Sequence, residues 1–181
     1  PGVFGGGILG ERILRIYGSE FTQGVTVLFF LIIANLFMGY QNQLLNALNA
    51  IDRPDLSFRV NALFVGMNVI ANVGLIYLYG WLGAAIATAV SVAVSLAAAY
   101  RYLSIIVTFV FPTNEVGRQV ASALIMSVFV YTGLLIENTY QLIGHNFATV
   151  ILLVVMGAGT YFGILLVLST QFRTTIRENI P

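Results

Sequence analysis

The sequence predicts an all-α, polytopic membrane helix bundle of about five complete transmembrane helices plus a truncated one, and three observations carry that expectation. The residues are 59% hydrophobic and only 8% charged, whereas a soluble domain carries roughly a quarter charged residues to coat its surface. Mean hydropathy is +0.92. Uncharged runs of 31, 41, 18 and 35 residues separate Glu20 from Asp52, Arg59 from Arg101, Arg118 from Glu137 and Glu137 from Arg173. A helix needs about 20 apolar residues to cross a hydrocarbon core.

The elements follow in order. The chain opens at Pro1 without an initiator Met or a charged leader, so it reads as a piece of a longer protein. Its Gly-rich residues 1–10 read as the end of a truncated span. Glu11 to Tyr17 suggests a short amphipathic helix, with Glu11 four residues before Arg15 and Gly18 as its stop. The first full span covers residues 21–50. The run of 41 residues is too long for one crossing and suits two, over 56–78 and 82–105. They meet in a tight hairpin at Tyr79-Gly80-Trp81, where Gly permits the turn and the aromatic rings favour the membrane interface. Asp55, after Pro54, is expected as the N-cap of the second span. Pro112-Thr113-Asn114-Glu115 marks the entry to the fourth, over 116–136, with an acid in its first turn. The fifth covers 146–169.

Alternate loops lie on opposite sides of a membrane. One side collects Arg53, Arg59, Arg101, Arg118, Arg173 and Arg177, and the other Arg12 and Arg15. That bias places the first group and the C-terminus in the cytoplasm of a cell-membrane protein.

Polar residues within the spans are patterned. Asn35, Gly39, Asn42, Asn46 and Asn49 fall on one helical stripe, with Gln41 and Gln43 beside it, and Asn61, Asn68 and Asn72 form a second stripe. Gly83, Ala87, Ser91, Ser95 and Ala99 recur every fourth residue, and Gly159 to Gly163 is a G-x-x-x-G pattern. Small stripes let helices approach closely, and amides bond between helices. Amides are also costly in lipid, so the Asn stripes suit either a packed seam or a hydrophilic cavity.

Enzymatic and metal chemistry find no support. There are no cysteines, His145 stands alone in a loop, and Asp52 and Asp55 flank Pro54 in a turn. No cofactor, metal site or catalytic residue is expected. A net charge of +1 offers no basic field for nucleic acid.

Three stretches resemble the polysaccharide (Wzx-type) flippases of the multidrug/oligosaccharidyl-lipid/polysaccharide exporter superfamily. Ile13-Leu14-Arg15-Ile16-Tyr17-Gly18-Ser19-Glu20-Phe21 is similar to the family's junction after its seventh span. Leu45-Asn46-Ala47-Leu48-Asn49-Ala50-Ile51-Asp52-Arg53-Pro54 resembles the end of the eighth. Asn68 to Asn72, continuing through Tyr79-Gly80-Trp81-Leu82-Gly83-Ala84-Ala85, resembles the following passage most closely. The resemblance covers about residues 11–172. It implies the C-terminal six-helix lobe of a twelve-helix transporter, with the whole of 1–181 in that lobe and the N-terminal lobe of the same protein as its partner. It also implies a polyprenyl- or dolichyl-linked oligosaccharide as substrate, membrane lipid as surroundings, and alternating access as mechanism. On that basis Asn42, Asn46, Asn49, Asn68 and Asn72 are candidates for the central cavity or the seam between the eighth and ninth spans. Arg53, Arg59, Arg101 and Arg118 are candidates for the lipid diphosphate, since no arginine sits mid-span. A cation-coupled drug extruder of the same superfamily and a non-transporting scaffold for glycan assembly are the alternatives.

Overall fold

The computed structural model describes residues 1–108, 113–141 and 143–179, apart from the side chains of Thr170, Thr175, Arg177 and Asn179. Pro112, expected at the entry to the fourth span, lies outside the described residues, as does the Arg177 side chain. The order is α1 (Gly2–Arg15), a 3-10 turn (Ser19–Gly24), α2 (Val25–Ala50), α3 (Pro54–Tyr79), α4 (Trp81–Ile106), α5 (Thr113–Tyr140), α6 (Asn146–Leu168) and α7 (Thr170–Asn179). No strand occurs among the described residues. Residues 2–15 form one helix rather than a span end followed by a separate amphipathic segment. The C-terminal α7, after the last expected span, adds a helix to that expectation.

Five helices are long and apolar enough to cross a membrane, with α2 counted together with its 3-10 turn. At most 39% of any of their apolar windows is buried inside the protein. Water would leave that much apolar surface uncovered, so lipid covers it and the protein is a multi-pass membrane protein.

The chain forms two compact units, Gly24–Val110 and Pro1–Gln23 with Phe111–Pro181. In the first, α4 packs against both α2 and α3. The whole column Gly83, Ala87, Ser91, Ser95 and Ala99 is buried, because residues this small let the partner backbones come close. The hairpin between α3 and α4 turns at Gly80, whose φ of 58° lies in the left-handed region that glycine adopts without strain. Its N–H donates to the Ile76 carbonyl and its own carbonyl accepts from the Gly83 N–H. A Cβ on Gly83 would fall on the Leu75 carbonyl. At the far end, Leu45, Leu48, Leu56, Val60, Ala99 and Leu103 form one cluster.

The α2–α3 connection corrects one expectation. Arg53, not Asp55, holds the N-cap position of α3, and no side chain caps that end. Pro54 takes the first helical position, where its fixed φ suits the helix and its missing N–H leaves no donor unsatisfied. Asp55 is thereby moved into the first turn, and the Arg53 guanidinium grips its carboxylate at 3.0 and 3.2 Å.

In the second unit α5 packs on α6, and α1 lies against both. Leu9, Ala123, Met126, Val130, Leu153, Tyr161 and Leu165 are its core. At the α5–α6 seam Gly157 of α6 faces Val130, and Gly133 of α5 faces Leu153. Gly159 and Gly163 are exposed with open space around them, so the G-x-x-x-G pattern does not form that seam. Ser169 starts α7, its hydroxyl accepting the Phe172 N–H at 3.0 Å in the manner of an N-cap. Phe172 stacks on Phe162.

Two stability outcomes follow from α4. Gly83→Ala must push the α3 backbone away and is expected to cost about 1–3 kcal/mol, read as a lower unfolding temperature of the full-length protein in detergent. Ser91 is fully buried, and its hydroxyl has no hydrogen-bond partner among the described residues. Ser91→Ala removes that unpaired group, so the same assay should show an unchanged or higher unfolding temperature.

Candidate functional site

Helix geometry separates the polar residues of α2 into two sets. Successive residues turn by about 100°, at 3.6 residues per turn. Ala34, Gln41, Leu45 and Leu48 are its buried positions, and the Gln41 amide accepts the Ser95 hydroxyl of α4 at 3.1 Å. One residue further round, Asn42, Asn46 and Asn49 are all exposed, as are Gln43 and Asn35. Asn35 satisfies its amide N–H₂ on the Leu31 carbonyl one turn back at 2.9 Å. Asn42, Asn46 and Asn49 make no hydrogen bond among the described residues.

The α3 stripe behaves differently. Asn72 donates to the Asn68 carbonyl and to its side-chain oxygen at 2.8 and 2.9 Å. Asn68 reaches the Thr88 hydroxyl of α4 at a long 3.5 Å, and Thr88 donates to the Ala84 carbonyl. These amides are half-buried at the α3–α4 seam and satisfy one another. Asn61, on the same stripe, is exposed.

Of the four candidate arginines, three share the unit of α2, α3 and α4, at the end where α2 finishes, α3 begins and α4 finishes. Arg53 is held by Asp55; that hydrogen bond first, and then the charge of Asp55, push its guanidinium above the usual range. Arg59 lies four residues after Asp55 on the same helix, and Arg101 lies near the end of α4; both are exposed. Arg118 belongs to the other unit and is ion-paired with Glu115. Glu115 in turn accepts the Ser169 hydroxyl at 2.7 Å, which ties the start of α5 to the α6–α7 junction.

Sequence reasoning used Glu137 only to mark a span boundary. It is buried, and one carboxylate oxygen accepts both the Thr149 hydroxyl and the Ile143 N–H at 3.3 Å. It lines a cleft of about 330 Å³ between α5 and α6, walled by Phe129, Ile136, Leu152 and Met156. A carboxylate closing an uncharged run, with no arginine near it in sequence, was the available signal. At the same end of the unit, Arg12 donates to the Asn138 side chain, and Asn146 donates to the Arg12 carbonyl at 2.8 Å, so α1 is tied to the α5–α6 hairpin. No cluster of metal-ligating side chains occurs among the described residues.

Glu137→Leu strands the Ile143 N–H and leaves the Thr149 hydroxyl only its bond to the His145 carbonyl, and is expected to destabilise the full-length protein by about 1–3 kcal/mol. Glu137→Gln keeps an acceptor oxygen and should lose less. Thermal unfolding of both variants checks the order.

Comparison with known proteins adds the lineage. The chain is 37% identical over 181 residues to the probable flippase AglR of Haloferax volcanii, covering 98% of this chain and 37% of that protein. It is 35% identical over 128 residues to the probable low-salt glycan biosynthesis flippase Agl15 of the same organism, covering 70% of this chain and 27% of that protein. No family model and no solved structure matches. The chain therefore spans a little over a third of the length of the first relative. Its likeness runs over nearly all its residues for the first and over 70% of them for the second, and the chain is a relative of these probable flippases, as its resemblance to the Wzx-type family implied.

Proposed function

We propose that this chain is the C-terminal transmembrane lobe of a flippase, which carries a polyprenyl- or dolichyl-linked oligosaccharide across the cell membrane by alternating access. The observation that carries this reading is likeness to a probable flippase over nearly the whole chain. The exposed amides of α2 supply its physical counterpart. A helix long and apolar enough to span the membrane presents three unpaired amides on one face. Lipid offers an amide no hydrogen bond, so a polar path shared with the N-terminal lobe is the environment that suits it. The exposed Arg59 and Arg101 supply positive charge where a diphosphate would enter. With six arginines on their side, those ends and the C-terminus face the cytoplasm.

The test is deletion of the full-length gene in a strain without a redundant flippase. Loss of surface or secreted glycan, with lipid-linked precursor accumulating on the cytoplasmic face, is the expected result. Unchanged glycan, with export of amphiphilic drugs reduced instead, overturns the reading in favour of an extruder. Orientation has its own check: a tag after the last residue should be reached by a membrane-impermeant label only once the cytoplasmic face is opened.

A further inference from the structure

We propose that Asn42, Asn46 and Asn49 form a ladder that hydrogen-bonds the hydroxyl groups of the sugars, not the diphosphate of the carrier. The inference rests on the flippase reading above and assigns the α2 face to one part of the substrate.

Four observations carry it. The three amides are exposed and make no side-chain hydrogen bond among the described residues, nor does Gln43 beside them, while the polar groups on the buried face and earlier on the helix are used. Gln41 accepts Ser95, and Asn35 bonds its own helix. The idle amides of α2 thus lie between Asn42 and Asn49, clear of its buried face. Second, that face is uncharged. Asn42, Asn46 and Asn49, with Gly39 and Gln43 around them, include no arginine. A diphosphate is recognised by charge-assisted bonds, chiefly from arginine. The nearest arginine in sequence, Arg53, is already held by Asp55. Third, an amide carries two donors and an acceptor with two lone pairs. A sugar hydroxyl also donates and accepts, so the two groups are complementary in a way that neither a lipid tail nor a phosphate is. Fourth, the spacing makes a ladder. Steps of four and three residues set the rungs about 5 Å apart and the outer two about 10 Å apart along the axis. That interval is of the order of one sugar unit along an extended glycan. Gly39, one turn before Asn42 on the sequence stripe, has open space beside it and leaves room for a substrate group against the helix.

The alternative occupant is a helix of the proposed N-terminal lobe, and the experiment separates it from a glycan. The full-length protein is reconstituted in lipid vesicles. Its flipping rate is measured for a polyprenyl diphosphate carrying no sugar and for the same carrier bearing a neutral trisaccharide. The quantity read is the rate for the trisaccharide carrier divided by the rate for the bare carrier. In the combined variant Asn42→Ala, Asn46→Ala and Asn49→Ala, the ratio is expected to fall at least 10-fold. Each single rung should cost about 3- to 10-fold, as expected for loss of one hydrogen bond. The substitutions spare Gln41, Leu45 and Leu48, which pack the helix. Should the combined variant fail to fold, Asn42→Ala and Asn46→Ala singly carry the same test. An unchanged ratio overturns the proposal. If both rates fall together, the face packs or gates; if neither falls, it touches no substrate. Wild-type protein that moves neither carrier overturns the flippase reading itself, and the ladder with it.

Discussion

Contact between the small-residue column of α4 and its two neighbours is the constraint from which the α2–α4 unit takes its form. In lipid no hydrophobic force draws apolar helices together, so association depends on close packing and on bonds between helices. Gly83 supplies the closest approach, against the Leu75 carbonyl, and Ser95 supplies a bond to Gln41. Because α4 is small on this column, α2 and α3 both reach it, and α2 and α3 need touch one another only little. The turn at Gly80 is a consequence of the same contact. Two helices held that closely require a connection with almost no length.

The polar groups are divided by this packing. The half-buried amides and hydroxyl at the α3–α4 seam are consumed by each other, as Asn68, Asn72 and Thr88 are. The α2 amides stay outside because the helix has one buried face and Gln41, Leu45 and Leu48 occupy it. Charges are excluded from both environments. The described arginines of this unit gather at the end shared by all three helices, where water can reach them. In the other unit the buried Glu137 is kept only with two donors on one carboxylate oxygen.

How much of this was legible follows from what a sequence records. Charge-free runs are direct evidence of spans, because each charge within lipid is expensive, so five helices could be read with little ambiguity. The α4 column was legible as well, since a period of four in small residues has few other uses. The cap of α3 was misread because Pro54 and Asp55 both favour a helix start and only one can hold the cap; the pyrrolidine ring settles it. The Gly159–Gly163 pattern misled for another reason. Two glycines four apart show a flat face but not which neighbour lies on it, and here Gly157, round the helix, takes the seam. Periodicity likewise placed the Asn stripes without distinguishing them, since whether an amide is spent depends on Thr88 and Ser95, which come from a different helix. Glu137 and Ser169 were hidden for the same reason, their partners being 12 and 54 residues away.

The division of polar groups bears on what kind of surface such a unit offers. A charged side chain placed along a span needs a counter-ion or water, and its desolvation is severe. An amide is the most strongly hydrogen-bonding group that can stand there without a partner charge, at a cost of a few kcal/mol. A helix that must serve a neutral, hydroxyl-rich cargo and still insert into lipid is therefore confined to residues such as asparagine and glutamine. On α2, Asn42, Asn46 and Asn49 fall where packing does not consume them, while Gln41 is spent on Ser95. On α3, where packing does consume them, the same residue type serves stability instead. Position relative to α4, rather than residue identity, decides whether an asparagine is spent on packing or left open.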